Sequence, residues 1–275
     1  MNKVSGSLSL EDIQDIYEQS AAHWKDGDIK ENFGMVAILD VLGWKKRADE
    51  QSIQVYVGLI NKLRWRMYDT YKRCVEDKNI VPNFTITTLS DTIAILVNGS
   101  FPYCEINIFN HISAFLEEAL EQGFMFRGAI SRGKYFTNNL DNVFVGEPFF
   151  EAAQYAEATD WAGVIITDTL STALLEKNTI EDLQRISIIK YDNIPFKEGI
   201  TPCKDKLVLV PQNEKRVFYP STIARLDFKA LYKKFMGDEI VKYKNTADFI
   251  EYVERTYWAE NKDEIDKRLS KDVSY

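Results

Sequence analysis

Two kinds of spacing divide the chain. Short runs of branched apolar residues between glycines or turn residues predict strands, and apolar residues recurring at steps of three and four predict helices. The first run is Met35-Val36-Ala37-Ile38-Leu39-Asp40-Val41, apolar except for Asp40 and bounded by Gly34 and Gly43. It reads as a buried central strand. A carboxylate in such a strand has to be hydrogen-bonded, act as a cap, or be neutralised by a metal. The pattern returns at Phe84–Leu89 and Thr92–Val97, two strands joined by the tight turn Ser90-Asp91, which predicts a hairpin.

Helical spacing fills the gaps. Ser9-Leu10-Glu11-Asp12 resembles a capping box and predicts a short helix to about Ala22. Ile53, Tyr56, Val57, Ile60, Leu63, Met67 and Tyr71 predict one long helix, or two, from about Ser52 to Glu76. Ile106, Phe109, Ile112, Phe115 and Leu120 predict another over about 103–122, with Gly123 as its stop. Phe124–Gly133 is strand-like and leads through Lys134-Tyr135-Phe136 to the turn cluster at 138–142. Val143–Pro148 leads into a helix to about Thr159, because proline suits a first turn. Gly163–Thr167 predicts a short buried strand, and Asp168 opens a further helix. Strands at 185–191 and 207–210 follow, then helices near 227–236 and 246–259 and a charged tail.

The resulting order, β–α–β–β–α–β–(β)–α–β–α, predicts an α+β fold: a ferredoxin-like split βαβ sheet with helices on one face. The expected organisation is an N-terminal helical segment (1–32), a catalytic domain (33–178) and a C-terminal α/β extension (179–275) without a legible motif.

Composition narrows the chemistry. Of 275 residues, 45% are hydrophobic and 28% charged, as in ordinary globular proteins, and the net charge of −8 argues against a broad grip on nucleic acid or on anionic membrane. Three separated cysteines and two histidines give little material for a zinc site or a histidine relay. No apolar run approaches the roughly 20 residues that span a bilayer, and no signal peptide is visible, so a cytoplasmic protein is expected.

Asp40 and Asp91 carry the functional reading. Taken singly, Asp40 is a strand-end or capping residue and Asp91 a hairpin residue. Brought to the tips of adjacent strands, they form an oxygen-ligand pair suited to Mg²⁺ or Mn²⁺, as two-metal phosphoryl chemistry requires.

Four segments, taken in order, resemble the class III nucleotidyl cyclases. Ile38-Leu39-Asp40-Val41-Leu42-Gly43-Trp44 is similar to their first metal motif, and Leu89-Ser90-Asp91 stands where they carry Gly-Asp. Phe126-Arg127-Gly128-Ala129-Ile130-Ser131-Arg132-Gly133 is similar to their Arg-x-Gly-Ile-x-x-Gly strand. Val145-Gly146-Glu147-Pro148-Phe149-Phe150-Glu151-Ala152-Ala153-Gln154 is similar to their Gly-Asp-x-x-Asn-x-Ala-x-Arg segment. The purine-selecting lysine is replaced by Thr87 and the second selecting position by Glu147. The transition-state Asn and Arg positions hold Phe150 and Gln154.

These departures resemble the bacterial pyrimidine cyclases of the Pycsar antiphage system. That resemblance implies a homodimer converting UTP or CTP to a cyclic nucleotide that activates a separate effector. Asp40, Asp91 and the Val41 carbonyl would hold two divalent cations, and Arg127 would clamp phosphate. Thr87 would read the base, and Glu147 and Gln154 would serve the partner's site. Trp44 and Tyr56 are candidates to narrow the base pocket or, equally, core residues. A catalytically silent cyclase-fold module is the alternative, since the Asn and Arg are missing.

Overall fold

A computed structural model describes residues 30–44, 49–74, 84–98, 102–138, 143–184, 186–211, 239–253 and 255. The helices expected at 9–22 and 227–236 lie outside them. In chain order the elements are β1 (Lys30–Val41), α1 (Glu50–Cys74), β2 (Phe84–Leu89), β3 (Thr92–Asn98), α2 (Pro102–Glu121), β4 (Phe126–Asn138), β5 (Val143–Gly146), α3 (Glu147–Glu157), β6 (Val164–Ile166), α4 (Asp168–Leu175), α5 (Ile180–Gln184), β7 (Ile188–Lys190), β8 (Leu207–Leu209) and α6 (Glu239–Tyr252).

All eight strands form one sheet, ordered β2-β3-β1-β4-β6-β8-β7, with β5 paired to β4. The first four are antiparallel neighbours in the 2-3-1-4 order of the ferredoxin-like split βαβ. The architecture is α+β, as the sequence predicted. β6 joins β4 in parallel, and β8 and β7 continue from it antiparallel. The boundary expected at 178 is therefore not a break in the sheet, because strands from both sides of it hydrogen-bond to one another. α6 adds Phe249 and Ile250, and the residue after it, Val253, to a cluster that includes Ala129 and Ile165.

Strand alternation divides the side chains between two faces. Met35, Ala37, Leu39 and Val41 of β1, with Phe126 and Ile130 of β4, face α1 and α2 in the largest core cluster. Val36, Ile38 and Asp40 face the other way, as do their register partners Ser131, Ala129 and Arg127.

The expectation of helices on one face is corrected here: α3 lies on this second face, where its Ala152 packs with Ala129 and Ile165. Small residues allow it. A Cβ on Gly133 would stand 3.2 Å from the Pro148 ring of α3. At Gly128 the backbones of β4 and β1 are closer still, and a Cβ there would come within 2.4 Å of the Ile38 carbonyl oxygen. Only glycine fits that crossing without moving a strand.

The N-terminal strand is longer than its apolar run, because Lys30–Gly34 pairs with Gly133–Thr137. The last helix starts at Glu239, about two turns before the expected start at 246, and the expected end at 259 lies outside the described residues. The short helix α5 is not among the expected elements, although Thr179 and Asp182 form a capping box at its start.

Candidate active site

Asp40 is the penultimate residue of β1, and its neighbours in the sheet are Thr92 of β3 and Arg127 of β4. Asp91 occupies the two-residue turn just before Thr92, and its carbonyl accepts a hydrogen bond from the Val41 N–H at 3.1 Å. The two carboxylates thus come from adjacent strand tips, fixed by backbone pairing rather than by long side chains. Ser90 takes the left-handed conformation (φ 56°) that the turn requires.

Arg127 grips Asp40. Its Nε and Nη2 both donate to Asp40 Oδ2, at 3.0 and 2.9 Å. The pair is largely shielded, with side chains 16% and 23% exposed. Burial pushes the Asp40 carboxyl above its ordinary range, the Arg127 guanidinium pulls it back, and the charges of Asp91 and Glu157 push it up again. Glu157, at the end of α3, is therefore a third carboxylate within electrostatic reach, one that sequence reasoning missed. Only the helical register and the second-face docking of α3 bring it there.

Beneath the acidic pair lies Tyr56 of α1, 5% exposed and stacked 6.4 Å from Phe126. Its hydroxyl is buried without a hydrogen-bond partner among the described residues. Burial, and then the charges of Asp91 and Asp40, push it up to about 12, so at neutral pH it remains a donor. Trp44 packs against Tyr56 at 4.9 Å and Phe124 at 6.3 Å. Tyr56 is buried in the core on the α1 side, and Trp44 is half-buried against that core.

Thr87 is half-buried in β2 and pairs with Ala94, which in turn pairs with Ile38. In antiparallel pairs directly opposed residues share a face, so Thr87 lies on the same face as Asp40. Glu147 and Gln154 are exposed residues of α3. Glu147 lies at the far end of β4, since α3 begins beside Gly133, six residues from Arg127. At about 3.3 Å per residue that is about 20 Å from Asp40, too far for Glu147 to serve the acidic pair of its own chain. Phe150 is 68% exposed and is not a core residue.

The remaining polar cluster on this face is structural in its bonding. Glu151 accepts from the hydroxyls of Ser131, Thr167 and Thr169, tying α3 to β4 and to the start of α4.

A divalent cation fits the residues present. Asp40 and Asp91 offer hard oxygen ligands, and the Val41 backbone adjoins both. No group of three or more His, Cys, Asp or Glu suited to a metal occurs among the described residues. Further oxygens would come from the backbone, water or a bound nucleotide. Among the described residues no helix is long and apolar enough to cross a membrane.

No family model matches the chain, and no curated protein matches it. Solved structures do. The adenylyl cyclase CyaB from P. aeruginosa is similar at 12% identity over 68% of this chain and 97% of that one, with a TM-score of 0.42. The catalytic core of a rhodopsin-guanylyl cyclase with converted specificity, in complex with ATPalphaS, gives 13% identity, 67% and 99% coverage and a TM-score of 0.45. A class III adenylyl cyclase-like ATP-binding protein from Pseudomonas aeruginosa gives 12%, 92%, 54% and 0.35. The likeness is one of fold. At these scores the fold itself stands on the strand order and register described above.

Proposed function

We propose that this chain is a nucleotide cyclase that converts UTP or CTP to the 3′,5′-cyclic nucleotide and pyrophosphate. The observation that carries the reading is the seating of Asp40 and Asp91 on adjacent strand tips of a 2-3-1-4 sheet, joined by the Val41-to-Asp91 hydrogen bond.

Asp40 and Asp91, with the Val41 carbonyl, would hold two divalent cations, Mn²⁺ or Mg²⁺, which when bound polarise the phosphates and offset the charge of the leaving pyrophosphate. The chain's own residues do the rest. The strand tips fix the two carboxylates against repulsion, and Arg127 presents a planar fork to phosphate oxygens. The 3′-hydroxyl of the substrate attacks the α-phosphorus in line. Thr87, on the face of Asp40, can donate to or accept from a pyrimidine edge, whereas a lysine could only donate. Its reversible hydroxyl suits either UTP or CTP.

The span of about 20 Å between Glu147 and Asp40 follows from the length of β4 and supports a homodimer. There Glu147 of one protomer would approach the acidic pair of its partner, and the resemblance gives Gln154 the same role. The resemblance to Pycsar cyclases adds an antiphage role, with a cyclic pyrimidine nucleotide acting on a separate effector.

The test is incubation of the full chain with each of the four NTPs and Mn²⁺, followed by chromatography for cyclic product and pyrophosphate. Pyrimidine triphosphates should lead in kcat/KM by at least about tenfold, or about 1.4 kcal/mol, which one hydrogen bond and steric exclusion can supply. A preference for ATP or GTP removes the pyrimidine reading, and no product from any NTP removes the enzyme. One observation favours a silent nucleotide-binding module instead: the aligned Asn and Arg positions carry Phe150 and Gln154. Such a module would bind triphosphate in the same assay without turning it over.

A further inference from the structure

We propose that Arg127 and a divalent cation compete for the same oxygen of Asp40, so that Arg127 is a positioning residue holding the acidic pair closed until cation and triphosphate arrive. The choice of cation and triphosphate rests on the cyclase reading.

Two guanidinium nitrogens, Nε and Nη2, converge on the single atom Asp40 Oδ2. Both backbones are pinned, because Asp40 and Arg127 are direct partners in the β1–β4 register. Asp40 has a short side chain that stays near its strand tip, whereas Arg127 has a long one with several rotatable bonds. A cation ligated by that oxygen has to displace the guanidinium.

The exchange is balanced by charge. Asp40 sits among the charges of Asp91 and Glu157, and Arg127 is the cationic group acting on it. A divalent ion supplies the same compensation more strongly. The released guanidinium, still held by β4, is then a free fork at the edge of the site. Phosphate oxygens are its natural next partner. The carboxylate and the phosphate thus trade one counter-ion for another, and neither charge is left bare. A cation alone must break the ion pair with no new partner for Arg127, so cation and triphosphate bind synergistically.

Arg132 supplies the contrast. It pairs in register with Met35 on the opposite face of β1 and lies over the Phe33 ring at 4.7 Å. Removing it changes the net charge equally without touching Asp40.

The experiment follows the Arg127 Nε–H in the full chain labelled with ¹⁵N-arginine, assigned by its disappearance in Arg127→Lys. In cation-free protein this proton should exchange slowly, and in Asp40→Asn it should lose protection. Saturation with Mg²⁺, monitored by calorimetry, should shift or broaden it, and a non-hydrolysable UTP analogue should restore a protected signal at a new position. Without nucleotide, Arg127→Met should bind Mn²⁺ about tenfold more tightly than the parent chain, and Arg132→Met within about twofold of it.

An unchanged Nε–H at Mg²⁺ saturation, or equal or weaker Mn²⁺ binding by Arg127→Met, overturns the exchange. If Arg127→Met does not fold, the labelled parent chain still decides. Cyclic product from the parent chain alongside either negative result removes only the exchange. Absence of cation binding with and without nucleotide removes the exchange and the cyclase reading together.

Discussion

The two faces of β1 are made from alternate residues of one strand and do opposite work. On the α1–α2 face, Met35, Ala37, Leu39 and Val41 are each at most 2% exposed and belong to the main core. On the other, Val36 and Ile38 are followed by Asp40, and the register partners run Ser131, Ala129, Arg127. Polarity there increases toward the strand tip, where the hairpin brings Asp91 alongside. A period of two lets one strand separate its duties, since neighbouring residues never share an environment. The first face holds the sheet to its helices, and the second is free to bear charge only because the first is dry and rigid.

The strongest way to break this division is at the tip. Asp91→Ala should lower kcat/KM for the preferred triphosphate by at least about a thousandfold, or about 4 kcal/mol. Its cation-free melting temperature should hold or rise, because one of the two charges pressing on Asp40 is gone. Asp40→Ala should be equally inactive but less stable, since it leaves the shielded Arg127 guanidinium without its partner. If Asp91→Ala melts early and retains turnover, the residue only builds the hairpin.

A purely structural break comes next. At Gly128, on the dry face, an added Cβ would meet the Ile38 carbonyl at 2.4 Å and the Leu39 Cδ2 at 2.6 Å. Backbone cannot yield as a side-chain tip can, so Gly128→Ala should cost about 3 kcal/mol, at the upper end for overpacking. Denaturant unfolding measures it, and a loss below about 0.5 kcal/mol would show that the strands separate easily at this crossing.

Much of this geometry is legible in the sequence, for a specific reason. Strands buried on both sides advertise themselves as apolar runs, so β1, β3 and β6 stand out from the residue pattern alone, as does the odd carboxylate in the first. The face on which a helix lies is not written locally. α3 shows its apolar residues Phe149, Ala152 and Ala156 at helical spacing, but its placement depends on Gly133 and Ala129, two small residues on another element. Glu157 was invisible for the same reason, and so was the grip of Arg127 on Asp40, which depends on a register between residues 87 positions apart. Trp44 follows β1 closely in sequence, and the turn at Leu42-Gly43 brings it against the core on the α1 side.

A buried carboxyl on the helix side of the sheet sharpens the comparison. Glu117 of α2 is 7% exposed, and burial, then the charge of Glu121, push it up to about 7; Arg66 pulls it back and Glu118 adds a smaller upward push. Its folded value lies above the ordinary 4.5. The folded chain therefore keeps the proton that the unfolded chain loses, and the associated stability is present below about 4.5 and lost as pH rises through about 7. Glu117→Gln should melt higher than the parent chain at pH 8 and gain little at pH 5. A gain that does not grow with pH would show that Glu117 is charged in the fold throughout.

The smallest expected effect tests the turn that presents Asp91. Ser90 holds φ 56°, a conformation that costs an L-residue roughly 1 kcal/mol and costs glycine nothing. Ser90→Gly removes that cost but gives the unfolded chain more freedom, so the net gain should be only about 0.5 kcal/mol. Ser90→Val should lose at least about 1 kcal/mol, because a β-branched residue fits this region worst. Urea midpoints at constant slope would give the order Gly above Ser above Val. Turnover should separate the two variants further. Glycine leaves Asp91 tied to the Val41 N–H through its own carbonyl, so activity should stay near that of the parent chain. Valine, by straining the turn, should displace the carboxylate from Asp40 and lower activity by more than its loss of stability explains. Equal midpoints for Gly and Val would mean that Ser90 does not occupy the left-handed position, and the tip geometry joining Asp91 to Asp40 would have to be redrawn.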